Sequence, residues 1–253
     1  MSMLNMGEHP SALKKLFFAE GWERFSFYGL NAIALLYLTK IIGIPVNQAL
    51  IITGSYITYV YFATTVGGYI ADNFLGSYRV VFIGGTFILL GHVCLTISFL
   101  NFSLFYLGLG FIATGTGLLK PNISVMVGKL YTKDQEDKRT EGFNIYYLGI
   151  NIGAFIAHFV VGFTAQIINW HLGFALAAIG MFIGLIVFRS GYKTYGESAI
   201  WFNKEKVNKL NLGLKVYWWI IIFLLAITVV FAVVLSHPVE TGMVMTICLI
   251  AMI

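Results

Sequence analysis

Apolar runs of about twenty residues recur along this chain, the length a helix needs to cross the hydrocarbon core of a bilayer. They fall at 13–41, 48–71, 78–100, 103–130, 142–166 and 169–189, with two more at 213–235 and 239–253. Hydrophobic residues make up 58% of the chain and charged residues 11%, the balance of an integral membrane protein. The length therefore says nothing about soluble domains. The expectation is an all-α polytopic membrane protein with six helices in 13–189, preceded by a polar segment, 1–12. A charged linker, 190–212, leads to two further helices in 213–253. The last run stops at "VMTICLIAMI" with no polar flank and reads as a helix cut short.

The basic residues are distributed by loop. Of the 16 Lys and Arg, all but Lys40, Arg24 and Lys120 fall on one side when loops are counted alternately. An excess of Lys and Arg marks cytoplasmic loops, so the N-terminus, the 72–78 and 131–141 loops and the linker are expected in the cytoplasm. This placement explains the basic pI without nucleic acid. Lys14 and Lys15 precede an apolar run that is too long for a signal peptide and lacks a cleavage site, so it reads as an uncleaved first helix. Cys94 and Cys248 lie in apolar runs and suggest neither a disulfide framework nor a metal site.

Arg24 and Lys120 lie inside spans. An ionisable group at the centre of a membrane helix costs roughly 2.5–3.5 kcal/mol, so each must face a partner helix or a wet cavity. In "LFFAEGWERFSFYGL", Glu20 and Arg24 are four apart and share a face, with Glu23 beside them and Tyr28 a turn beyond. Two readings stand at this point: an internal salt bridge with side chains reaching to the headgroups, or a functional polar patch. Lys120 is followed by Pro121, which removes a backbone donor and frees the carbonyl near residue 117. The lysine then faces a polar cavity, pairs with a carboxylate of another helix, or does both in turn.

The loop "GGYIADNFLGSYRV" offers Gly67 and Gly68 for close helix contact, Asp72 as a cap or ion-pair partner, and Arg79 as its counter-charge. It reads as a tether or as a latch between bundles that opens and recloses. In "EGFNIYYLGINIGAFIAHF", Asn144 and Asn151 share a face, with Gly149 and Gly153 allowing close approach. Asn151 bonds either a ligand amide or a neighbouring helix. His92 and His158 read as satisfied structural histidines, and Tyr56, Tyr59 and Tyr61 as packing or pocket rings. The linker "WFNKEKVNKL" reads as a surface helix. Catalytic triads, phosphate loops and metal spacings are absent, and "GTGLLK" has the wrong spacing, so enzyme activity has no support.

Together these motifs are familiar. "EGWERFSFYG" resembles the E-x-x-E-R-F-x-Y-Y-G motif of the proton-dependent oligopeptide transporters, a branch of the major facilitator superfamily. "YYLGINIGA" resembles that family's F-Y-x-x-I-N-x-G signature, and "GGYIADNFLG" and "GLLKPNISVMVG" occur in the expected order. The resemblance implies a six-helix N-terminal bundle, a cytoplasmic linker and a pair of extra helices, the second cut short, completed by a C-terminal six-helix bundle. It implies proton-coupled uptake of di- and tripeptides by alternating access, in a bacterial inner membrane, with protons as coupling ion and no cofactor. Arg24 and Lys120 would meet the peptide carboxylate. Glu20 and Glu23 would join them in proton coupling; Tyr28, Tyr61 and Asn151 would line the pocket; Gly68, Asp72, Gly76 and Arg79 would form the conformational loop. One motif tyrosine is Phe27 here, which removes a hydroxyl from the site. Carriers of nitrate or organic acids, or a non-transporting scaffold or half-transporter, are the alternatives.

Overall fold

The computed structural model describes residues 7–243, without the Ser198 side chain. Long helices dominate: α1 (Ser11–Leu36), α2 (Val46–Ile70), α3 (Gly76–Thr96), α4 (Ser103–Gly128), α5 (Glu136–Phe163) and α6 (Trp170–Ser190). α1, α2 and α5 each run on through a wider π-type turn, at Tyr37–Ile41, Ala71–Leu75 and Thr164–Ile168. Helix starts follow local chemistry. Pro45 precedes α2, Asp137 and Glu136 sit in the first turn of α5, and the Asn169 side chain accepts from the backbone of His171 and Leu172 to cap α6.

Five helical stretches among the described residues are long and apolar enough to cross a membrane, and one of them, the 51-residue Val46–Thr96, holds two helices, α2 and α3, that meet at Gly76. α1 is not among them, because its own charges dilute its hydropathy. Its 26 residues still span about 39 Å, more than a bilayer core needs.

Bilayer helices gain no hydrophobic drive from one another and instead pack closely through small residues. α3 and α4 meet backbone to backbone at two glycine pairs. A methyl group on Gly84 would lie 2.6 Å from the Gly115 carbonyl oxygen, and one on Gly91 would lie 2.6 Å from that of Gly108. α1 crosses α5 at Gly21, Gly149 and Gly153 in the same manner.

One end of the bundle gathers the basic segments. His9 Nδ1 lies 2.9 Å from the Tyr131 hydroxyl, tying the N-terminal segment to the α4–α5 connection. Gly191, after α6, packs on the Lys15 side chain. The linker holds the surface helix expected in "WFNKEKVNKL" only over the middle of that stretch, at Lys204–Asn208. It breaks into α7 (Glu197–Ile200), α8 (Lys204–Asn208) and a two-stranded hairpin, β1 (Leu210–Asn211) with β2 (Leu214–Lys215). Gly196 and Gly213, at φ +77° and +80°, turn the chain where a helix cannot continue. α9 (Val216–Leu235) then returns along α4, held by the Thr114 and Thr228 hydroxyls at 2.9 Å and by Tyr59 stacked on Phe231 at 3.9 Å. A new helical turn begins at Pro238, and the final run expected at 239–253 lies outside the described residues from 244 onward, Cys248 included.

Candidate functional site

The charged patch of α1 is buried. Glu20, Glu23 and Arg24 are 1%, 0% and 3% exposed. Arg24 Nε lies 3.1 Å from Glu20 Oε1 in the ion pair that four-residue spacing on a helix provides, and donates its hydrogen to Glu23 Oε2. The arrangement is paired but incomplete. Glu20 Oε2, Glu23 Oε1 and Arg24 Nη2 are buried without a hydrogen-bond partner among the described residues, a costly condition. Phe27 lies under the guanidinium at 5.0 Å and stacks on Tyr56 at 6.3 Å.

Lys120 approaches the same carboxylates from α4, close enough for its charge to act on both. It makes no ion pair within 4.0 Å among the described residues; its ammonium sits 5.1 Å from the centre of the Tyr61 ring. The site therefore holds one committed cation, Arg24, and one held only by an aromatic face. The helix continues through Pro121. The Gly117 carbonyl, which proline leaves without its donor, faces Gly67 of α2, where a methyl group would come within 2.5 Å of it. Asn122 donates to the Gly67 carbonyl at 3.2 Å and to Leu118 at 2.8 Å, bracing α2 against the proline turn. Sequence reasoning missed the role of Asn122, although it is the third residue of "KPN".

Tyr28 is half-buried with its ring 6.1 Å from that of His158, whose Nδ1 lies 2.7 Å from the Ala154 carbonyl. Asn151 is exposed and makes no side-chain hydrogen bond among the described residues, while Gly149 and Gly153 turn toward α1. His92 departs from expectation: it is fully buried, yet neither ring nitrogen has a hydrogen-bond partner among the described residues.

The α2–α3 corner is built differently from its sequence reading. Gly67 makes the close contact, whereas Gly68 faces open space. Asp72 is exposed in the π turn, neither caps α3 nor pairs with Arg79. Arg79 instead donates to the Ile200 carbonyl at 3.1 Å and lies 3.4 Å from the Phe202 ring centre. Gly76, at φ +72°, lies against the Trp201 backbone, and the Asn203 amide donates to Phe74 at 2.9 Å. The reason is geometric. The turn points Arg79 at the linker, while the π turn leaves Asp72 to water.

The fold and its buried charges define the class, a polytopic helical membrane protein with a polar interior. The comparisons narrow it. A sequence profile of the POT family matches residues 78–245. The di-/tripeptide transporter of Lactococcus lactis subsp. cremoris is 47% identical over 189 residues, which cover 72% of this chain and 38% of that protein. The peptide transporter YePEPT of Yersinia enterocolitica is 43% identical over 187 residues, covering 72% and 36%. The crystal structure of a mutant peptide transporter POT in complex with alafosfalin matches with a TM-score of 0.78 at 38% identity, over 97% of this chain and 50% of that one. The chain belongs to the POT family, a family of integral membrane transporters, and has the major-facilitator fold of its N-terminal portion. It spans about half the length of that solved relative and 38% or less of these two curated ones.

Proposed function

We propose that the intact transporter carries di- and tripeptides into the cell with protons, and that this chain supplies the half that receives the peptide carboxylate. The observation that carries the reading is the contrast between Arg24, held by two buried acids, and Lys120, held by no acid. Protonating Glu23 or Glu20 weakens the hold on Arg24 and releases its guanidinium toward an incoming carboxylate, with Lys120 as the second cation. Loss of the proton restores the ion pair and expels the ligand. One proton moving through 100 mV provides about 2.3 kcal/mol, enough for more than tenfold accumulation. Tyr28, Tyr61 and Asn151 line the pocket, and Gly76 and Arg79, which meet the linker at the α2–α3 corner, latch the basic end, which faces the cytoplasm. The second bundle needed for alternating access is the remaining partner, and the lipid bilayer surrounds both.

The peptide reading draws support from the relatives, a di-/tripeptide transporter and a peptide transporter, from the alafosfalin complex and from a POT family transporter solved with a thioalcohol-conjugated peptide. A sulfate complex of a relative favours an anion-receiving site in general, so carriers of nitrate or organic acids are the rival. The test is proton-driven uptake of a labelled dipeptide by the intact transporter in proteoliposomes, beside Lys120→Ala. The reading predicts uptake that excess unlabelled dipeptide blocks and nitrate does not, and at least tenfold weaker apparent affinity in the variant. Uptake blocked by nitrate alone would transfer the site to the rival.

A further inference from the structure

Tyr146 is a buried polar residue beside the charged patch that the transport reading leaves without a role. It lies on α5, 1% exposed, its ring set edge-on to Phe143 at 6.5 Å and steeply inclined to Tyr147 at 5.7 Å, which fixes where the phenol points. Glu20 and Arg24 of α1 face the hydroxyl on one side. On the other side, Ser124 Oγ of α4 lies 3.4 Å away and in turn reaches the Lys120 carbonyl at 3.4 Å. Glu20 keeps Oε2 without a hydrogen-bond partner among the described residues, and Tyr146 is a neighbouring donor. Three helices thus converge on one hydroxyl.

The hydrogen count makes this cluster directional. Tyr146 and Ser124 each have a single O–H to give, while three acceptors compete for them: the Glu20 carboxylate, the other hydroxyl and the Lys120 carbonyl. With Glu20 ionised, the best arrangement sends the Tyr146 hydrogen to the carboxylate and the Ser124 hydrogen to the tyrosine oxygen, because donation to a charged acceptor is the stronger bond. With Glu20 protonated, that preference is gone. Tyr146 then donates to Ser124, and Ser124 donates to the backbone carbonyl of Lys120, the residue that carries the second cation.

We infer that Tyr146 is a positioning residue that links the charge state of Glu20 on α1 to the Lys120 turn of α4. The inference rests on the coupling role given to Glu20 above. The F-Y-x-x-I-N-x-G signature has phenylalanine where this chain has Tyr146, so the hydroxyl missing at Phe27 is matched by one gained across the site.

The experiment measures dipeptide affinity as a function of pH, with counterflow at each pH, for the intact transporter and for Tyr146→Phe, Glu20→Gln and the double variant. Tyr146→Phe is expected to retain counterflow within about twofold and to move the midpoint of the affinity profile by about half a unit toward higher pH, since a carboxylate that loses a donor keeps its proton longer. The shift is expected to vanish in the Glu20→Gln background. A Tyr146→Phe profile that coincides with wild type, or the same shift with Glu20→Gln present, overturns the inference. Should Tyr146→Phe fail to reach the membrane, Ser124→Ala removes the other hydroxyl without touching the ring. It is expected to give a smaller shift in the same direction, and an unmoved profile again overturns the inference. Wild-type protein without dipeptide counterflow would sink the transport reading itself, whereas intact counterflow with coincident profiles sinks only the role of Tyr146.

Discussion

In the middle of α1, Glu20, Glu23 and Arg24 are buried and answer one another; at the corner between α2 and α3, Asp72 and Arg79 stand seven residues apart and form no pair. Both stretches read as acid–base sets in the sequence. Inside a bilayer no water is at hand, so charges on one helix face satisfy each other and i, i+4 spacing names the partner. At the wet end, water competes for every charge and an exposed pair gains about 0–1 kcal/mol. The backbone's path then decides, and Arg79 goes to the Ile200 carbonyl and the Phe202 ring.

The largest effect should come from Arg24→Leu, which leaves two buried carboxylates unopposed. Removing one partner of a buried pair costs about 3–5 kcal/mol. The variant should show a clearly lower unfolding temperature in detergent and background uptake; wild-type stability would break the comparison. Lys120→Ala sharpens it from the other side, because this cation has no ion pair to lose. Thermal unfolding should register less than about 1 kcal/mol of change while peptide affinity falls. Next comes Arg79→Ala, expected to expose the linker near Ile200–Asn203 to faster hydrogen exchange, at about 1–2 kcal/mol of local stability. Driven uptake should change by less than about threefold. Asp72→Asn should be the smallest, within about 0.5 kcal/mol of wild type by thermal unfolding, because Asp72 pairs with nothing described here.

Much of this molecule could be read from the chain. Run lengths and glycines place α1 to α6 and α9 within a few residues, except that α5 starts at Glu136, six residues before its apolar run, because its first turns are charged and wet. The Glu20–Arg24 pair follows from spacing alone. What the chain hides is whatever depends on two helices meeting. Lys120 finds the Tyr61 ring rather than a carboxylate, Asn122 finds the Gly67 carbonyl, and Tyr146 reaches Ser124. No local period encodes those approaches. The linker helix is shorter than its stretch for a related reason: Trp201 and Phe202 serve the corner under α3, and the helix begins only at Lys204.

The most direct measurement compares pH-gradient-driven accumulation of a dipeptide with its counterflow exchange, both in proteoliposomes of the intact transporter carrying Glu23→Gln. If the buried acids trade Arg24 with the ligand, exchange persists while accumulation against a gradient collapses toward equilibrium. Accumulation at the wild-type level would contradict the account.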